Sequence, residues 1–331
     1  MTAVVGFPAL LERFFTERLL RQRQASPHTV ASYRDTFRLL LEFANRRLHK
    51  QPSQLMLEEV DAPLIAAFLD DLEANRKITA RSRNLRLTAI RSFFHYAAYE
   101  EPAHAAQIQR VLAIPGKRCI KALVKFLDRT ETEALLKAPD QRTWFGRRDH
   151  VLLLVAVQTG LRLSELTSLR SEDLHLGTVA HLRCVGKGRK ERTTPLTKQA
   201  VDALKTWMQQ RSKTTLWIFP TAQGGRLSAD AVQRLLAKYQ RIAGHSCPSL
   251  KTKRVTPHVL RHTLAMTLLQ AGIDRSVIAL WLGHESVETT QIYLDADLAL
   301  KAKILVKTTQ SGQSPRLFQP GDRLLAFLKS L

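Results

Sequence analysis

The sequence predicts a mainly α-helical protein of two domains carrying one small antiparallel β-sheet. Three observations predict it. Apolar residues recur at helical spacing through the first hundred positions. That periodicity breaks near Ile114-Pro115-Gly116-Lys117-Arg118. The helical patterning of the second half is interrupted by period-two alternation around residues 180–196. At 331 residues and 44% hydrophobic content the chain has the length and composition for two ordinary globular domains. The expected divisions are a helical domain over 1–110, a linker over 111–126, a second domain over 127–307, and a flexible stretch with a short terminal helix over 308–331.

The elements follow from caps and stripes. Ser26-Pro27 is a helix cap followed by a first-turn proline, after which Val30, Tyr33, Phe37, Leu40, Leu41 and Ala44 share one face. Asp61 caps a second helix with Leu64, Phe68, Leu69 and Leu72 inward. A third runs from Thr79 to Tyr99, with Leu85, Ala89, Phe93 and Ala97 as its buried stripe. In the second domain Asp128 or Thr130 caps a helix, and the apolar run Val151 to Val157 is a buried helix closed by Thr159-Gly160. Ala180, Leu182 and Cys184 alternate with His181 and Arg183 as a strand, which turns at Gly186-Lys187-Gly188 and returns through Arg192 to Leu196. Three further helices are expected: Thr197 to Arg211 around Val201, Leu204 and Trp207; Ser228 to Ala243 around Val232, Leu235, Leu236, Tyr239 and Ile242; and Pro257 to Gly272 behind a Thr256 cap.

Charge narrows the partner. The 51 lysines and arginines exceed the 29 acids by 22. The excess is spread over both halves, with 20 basic and 12 acidic groups in residues 1–126 and 31 and 17 in the remainder. Such a balance attracts polyanions, above all nucleic acid, and two basic halves suit a clamp around duplex DNA. No apolar run approaches the roughly 20 residues that span a bilayer. The opening Ala3-Val4-Val5-Gly6-Phe7-Pro8 lacks the basic start of a signal peptide. Cys119, Cys184 and Cys247 are spaced for neither a disulfide framework nor zinc, so a cytoplasmic location is expected. The stretch bearing Arg76, Lys77, Arg81, Arg83, Arg86 and Arg91 carries no acid, which fits a helix in a DNA groove as well as an ordinary solvated face.

Several residues have the chemistry to hold and attack a phosphodiester. The reaction needs cations or donors on the non-bridging oxygens, a nucleophile, and a proton for the leaving alkoxide. Arg162 follows the Thr159-Gly160 break and stands three positions before Glu165, whose carboxylate can orient the guanidinium. Alone, Arg162 reads more readily as an exposed arginine at a helix start. His258 and Arg261 lie three apart near a helix N-terminus, on one face and at its positive end, whereas His262 points elsewhere. Lys187 stands between two glycines at a hairpin tip, where a plain solvated lysine is the simpler alternative. Tyr293 follows His284 by nine positions in Leu282-Gly283-His284-Glu285-Ser286-Val287-Glu288-Thr289-Thr290-Gln291-Ile292-Tyr293, and by itself a helical tyrosine is most often core. The acids show no clustered magnesium-ligand pattern, so neither metal nor other cofactor is expected.

Together and in this order, Arg162, Lys187, His258-Val259-Leu260-Arg261, His284 and Tyr293 resemble the tyrosine recombinase (phage integrase) family. Thr159-Gly160-Leu161-Arg162, Gly186-Lys187-Gly188-Arg189-Lys190-Glu191-Arg192, His258 to His262 and Leu282-Gly283-His284 are similar to its Xer-type and mobile-element integrase branches. The resemblance covers residues 127–300 by motif and 10–110 by architecture. It implies a helical core-binding domain followed by a catalytic domain, and site-specific cleavage and rejoining of duplex DNA through a 3′-phosphotyrosyl bond. By the same resemblance Tyr293 is the nucleophile, Lys187 protonates the 5′-oxygen, and Arg162, Arg261 and His284 hold the phosphate. His258 accepts a proton or donates to the phosphate, and Glu165 supports Arg162. Arg189 and Lys190, like Arg81, Arg83, Arg86 and Arg91 on the N-terminal helix, are expected to contact DNA. A homotetramer on paired sites is implied, with a second recombinase as a further partner. Xer proteins usually follow the tyrosine with Thr-His; here Leu294-Asp295-Ala296-Asp297 follows, which favours a mobile-element role over chromosome resolution.

Thr308 to Pro315 reads as a flexible linker, and Asp322 to Lys329 as a helix too short to stand alone. That helix docks on its own domain or on a neighbouring protomer. Two rivals to recombination carry related features: a type IB topoisomerase, which relaxes supercoils without pairing sites, and a non-catalytic DNA-binding protein on the same scaffold.

Overall fold

Helix starts in the computed structural model are fixed by the side chains expected to fix them. The structure describes residues 6–119, 124–186, 191–212 and 214–283. Contacts divide the chain into two compact units, Met1–Lys121 and Ala122–Leu331.

The first unit is helical. Helix α1 (Phe7–Arg13) runs into a π-helical stretch, Phe14–Gln22, and is followed by α2 (Pro27–Leu48), α3 (Ala62–Arg76), α4 (Ala80–Glu100) and α5 (Ala105–Leu112). Ser26, Asp61 and Thr79 each accept a hydrogen bond from the backbone N–H three residues on, satisfying one of the donors a helix start leaves unpaired. The core is aromatic: Phe14 packs edge-on to Phe93 at 5.5 Å between ring centroids, and Phe93 also meets Phe7 at 5.2 Å and Phe37 at 5.4 Å. Each such buried ring contributes about 1.5–3 kcal/mol by leaving water. Beyond α5 the chain stays tied to α4, since Asn84 donates to Lys117 O at 2.8 Å and accepts from Lys117 N at 2.9 Å.

In the second unit α6 (Arg129–Lys137) opens with a reciprocal cap between Asp128 and Glu131. Burial pushes the Glu131 carboxyl upward, but hydrogen bonds from Lys253, Ser249 and the Asp128 backbone outweigh it and hold the group below the usual carboxylate range. Next come α7 (Trp144–Thr159) and α8 (Leu163–Ser168), then a three-stranded antiparallel sheet of β1 (Leu174–His175), β2 (His181–Val185) and β3 (Glu191–Pro195) in that order. The register sets Leu182 against Thr194 and Cys184 against Arg192. Helices α9 (Lys198–Gln210), α10 (Ala229–Ser246), α11 (Pro257–Gln270) and α12 (Arg275–Leu282) complete the described part. Helix α7 is the spine, with Val151 through Ala156 all buried. Ala265, Met266 and Leu269 of α11 close on Ile278 and Leu282 of α12.

Two side chains expected inside lie outside. Leu85 on α4 is 60% exposed and Ile242 on α10 is also exposed. Both stand at the edge of an apolar stripe, where the core stops short of the width periodicity suggests. Among the described residues no helix is long and apolar enough to cross a membrane.

Candidate active site

Two chain breaks converge in the second unit. The first is Gly160, which ends α7 in the left-handed conformation (φ 60°). A Cβ there would come within 2.7 Å of Leu282 Cδ2 and 2.9 Å of Leu264 Cδ2, so both backbone angle and space demand glycine. The turn frees Leu161-Arg162 to start α8, with Arg162 as its N-cap residue.

Glu165, in the first turn of α8, gathers this region. Its Oε2 accepts from the Arg162 backbone N–H at 2.7 Å and its Oε1 from Arg162 Nη1 at 3.0 Å. From β3, Arg192 grips the same carboxylate at both ends, Nη1 to Oε1 at 2.9 Å and Nη2 to Oε2 at 2.8 Å. Burial drives the Glu165 carboxyl upward; the Arg192 hydrogen bonds and charge, with the backbone and side chain of Arg162, reverse that and hold it below its ordinary value. Glu165 is therefore a buried anion between two cations, and the cluster has an excess positive charge.

The second break is at the end of α12. Gly283 caps it in the left-handed conformation (φ 63°). Arg162 Nη2 donates to Gly283 O at 2.8 Å, and Arg261 Nη2 donates to Leu282 O at 2.5 Å. Arg261 Nη1 meanwhile donates to Gly160 O at 2.7 Å. The last carbonyls of α12, unpaired within the helix and at its negative end, are thus held by two arginines. Arg162 retains 25% side-chain exposure, and among the described residues its other N–H groups have no acceptor, so an incoming oxyanion can take them.

His258 is exposed on the first turn of α11, whose start is capped by Thr256 and opened by Pro257. His262, one turn on, has its ring centroid 6.5 Å from that of His258: burial first, then the charges of His258 and Arg261, push its imidazole down to about 4. It is a neutral, half-buried histidine that packs beside His258. Cys184 on β2 is likewise unreactive, its thiol pushed up to about 11 chiefly by burial.

The structure therefore brings together Arg162, Glu165 and Arg261, with His258 on the same helix as Arg261. Lys187, Arg189, Lys190, His284 and Tyr293, and the expected helix over Asp322 to Lys329, lie outside the described residues. Arg192 is the site residue that the sequence reading does not pick out, naming it only where the strand returns and within the Gly186 to Arg192 motif. Its signal was present: it shares the inward face of β3 with Thr194, and an arginine at an inward strand position needs a buried acid.

In the first unit the basic run of α4 does not form one arginine face. Arg81 is exposed. Arg83 is buried, with its Nε 3.3 Å from Glu73 Oε2, and Arg86 donates to Thr36 Oγ1 at 3.0 Å and Ser32 O at 3.2 Å. Arg91 donates to Ile114 O. Helical spacing spreads these arginines around the cylinder, and three of them reach neighbouring elements of their own unit.

Known proteins share this organisation. The phage integrase family profile matches residues 125–299, and that of the phage integrase N-terminal SAM-like domain matches residues 12–101. The protein named integrase/recombinase y4rC of Sinorhizobium fredii (strain NBRC 101917 / NGR234) is 63% identical over 333 residues, the whole of both chains. Tyrosine recombinase XerD of Vibrio cholerae is 33% identical over 293 residues, 86% of this chain and 90% of that one. In fold, the chain is similar to the solved structure of XerH site-specific recombinase bound to palindromic difH substrate in a post-cleavage complex. There the TM-score is 0.70 at 21% identity, over 86% of this chain and 81% of that one. With one profile spanning more than half of its residues and relatives aligned along nearly all of them, the chain belongs to the phage integrase family, the tyrosine recombinases.

Proposed function

We propose that this protein is a site-specific recombinase that cleaves and rejoins duplex DNA through Tyr293. The observation that carries the reading is the pair of arginines, Arg162 and Arg261, anchored on adjacent carbonyls immediately before His284. Two guanidiniums held close together fit a phosphodiester, whose charge spreads over two non-bridging oxygens. Tyr293 Oη attacks phosphorus as the bond to the 5′-oxygen breaks. The phenolic proton passes to His258, and the leaving 5′-oxygen takes a proton from Lys187. His284 donates to the phosphate beside the arginines. The phosphotyrosyl ester conserves the energy of the broken bond, so a 5′-hydroxyl of a partner strand reverses the step and reseals the backbone without ATP.

Double-stranded DNA is the partner, met by Arg81 in the first unit and by Arg189 and Lys190 next to Lys187. Exchange between two duplexes calls for four protomers on paired sites, with a second recombinase as a further partner, acting in the cytoplasm. The residues after Tyr293 support a mobile-element integrase over a chromosome-resolution enzyme. The test is a plasmid bearing two copies of DNA flanking the gene, incubated with the full-length protein. Deletion or inversion products are expected. A ladder of relaxed topoisomers without rearrangement would instead assign a topoisomerase, and binding with neither outcome a non-catalytic DNA-binding protein.

A further inference from the structure

Arg192 has no part in that reaction scheme, yet it touches both anchors of Arg162. One anchor is Glu165, held through a two-pronged ion pair. The other is Gly283, where a Cβ would come within 2.8 Å of Arg192 Nη1, 3.2 Å of Cδ and 3.3 Å of Cζ. Arg192 thus lies directly beneath the residue whose carbonyl Arg162 holds.

The division of labour between the two arginines follows from their surroundings. The Arg192 side chain is 12% exposed and that of Arg162 25%, on either side of a Glu165 carboxylate that is 2% exposed. Both terminal nitrogens of Arg192 face the carboxylate, and its Nε is buried without an acceptor. Its two side-chain bonds turn inward, and it offers a substrate less surface than Arg162 does. What it does is fix the plane of the Glu165 carboxylate, because a two-pronged pair allows a single orientation. The carboxylate in that plane receives Arg162 Nη1, and the glycine resting on Arg192 receives Arg162 Nη2. Without Arg192 the Glu165 carboxylate would keep only its bonds from the Arg162 backbone and Nη1, and would neutralise the cation meant for phosphate. With Arg192 present the charge balance leaves one net positive charge, on the more exposed partner.

We propose that Arg192 is a positioning residue of the phosphate centre: by gripping Glu165 and supporting Gly283 it aims the Arg162 guanidinium at the scissile phosphate. The proposal rests on the reading that Arg162 binds that phosphate, and the test separates the two. Full-length wild-type, Arg192→Gln, Arg192→Lys and Arg162→Gln proteins are given nicked duplexes bearing the target site. The scissile group is either a phosphodiester or a methylphosphonate, in which a methyl replaces one charged oxygen. Single-turnover formation of the covalent adduct, DNA affinity and thermal melting are measured for each.

On the phosphodiester, Arg192→Gln is expected to slow adduct formation by about 100-fold, the scale of an ångström misplacement, with DNA affinity unchanged. Arg192→Lys keeps the charge but loses the fork and falls between. On the methylphosphonate, which needs no cation at the replaced oxygen, both Arg162→Gln and the Arg192 variants should approach wild type. Relief of Arg162→Gln with none for the Arg192 variants overturns the positioning role alone. No relief for Arg162→Gln overturns its phosphate role, and the proposal with it. If Arg192→Gln fails to fold, Arg192→Lys carries the same comparison.

Discussion

Arg162 and Gly283 are 121 residues apart in sequence and joined by a 2.8 Å hydrogen bond from Arg162 Nη2 to the glycine carbonyl. Arg261 makes the equivalent bond to the neighbouring carbonyl of Leu282 and a second to Gly160 O. The Thr-Gly-Leu-Arg turn, the His-x-x-Arg helix and the Leu282-Gly283 end of α12 are therefore one structural unit. The site's geometry is set by backbone carbonyls at two glycine-ended helices, and the two arginines proposed to meet the phosphate hold those helix ends.

Gly160 and Gly283 should be intolerant of alanine, for related reasons. Both have positive φ, and a Cβ at either position meets an atom at 2.7–2.8 Å. The left-handed conformation alone costs a non-glycine residue roughly 1–2 kcal/mol, and the overlap about 1–3 more. Gly160→Ala presses on the Leu282 and Leu264 side chains, and Gly283→Ala on the Arg192 guanidinium. Urea denaturation should show lowered stability in both variants. Adduct formation in the Gly283 variant should fall further than its loss of folded protein explains.

Glu165→Gln should be more damaging than a change of one surface acid. It removes the anion between two buried or half-buried guanidiniums, and breaking such a pair costs about 3–5 kcal/mol. The folded carboxyl titrates below its ordinary value of 4.5, so its contribution is fully present above that pH and is lost as pH falls through the lower folded value. A denaturation series from pH 7 to 3 should show the wild type losing an acid-dependent component that Glu165→Gln lacks. Parallel curves would remove the ion pair from the account.

His262 gives a second pH signature, in a different window. Its folded value of about 4 lies below the ordinary 6.5, so the unfolded chain binds the extra proton first. Stability is full above pH 6.5 and declines as pH falls toward 4, by at most about 3 kcal/mol. His262→Gln should flatten the stability curve between those limits, and a slope equal to wild type would contradict the buried neutral imidazole.

The arginines of α4 should separate by exposure. Arg81→Ala should weaken DNA binding and reduce the slope of log affinity against log salt by about 1, with unchanged melting. Arg83→Ala should lower the melting temperature, because it strips a buried partner from Glu73. If the two variants behave alike, the assignment of surface and interior roles on this helix fails.

These contrasts mark how far the sequence could be read. Caps at Ser26, Asp61 and Thr256, and Asp128 as one of two candidates, were legible because the signal is local: a polar side chain pairs with an N–H three residues on. The stripe of α4 was legible at Ala89, Phe93 and Ala97 but not at Leu85, where the apolar pattern outruns the elements that cover it. Arg162 and Glu165 were paired correctly from their spacing in a helix turn. Arg192 was not seen as Glu165's second partner, since that contact joins a strand to a helix 27 positions away and depends on sheet placement. Arg83 was misplaced for the same reason: charge in a sequence gives no direction, and only packing turned this side chain inward.

The central claim, that this site performs phosphoryl transfer to Tyr293, is tested most directly by covalent capture. Wild-type protein and Tyr293→Phe are incubated with nicked duplexes drawn from DNA flanking the gene, denatured in SDS, and the attached DNA is sequenced. The account predicts adducts with the wild type alone, joined through the 3′-phosphate at one defined sequence. Adducts that persist in Tyr293→Phe, or none from wild-type protein that binds the same DNA, would contradict it.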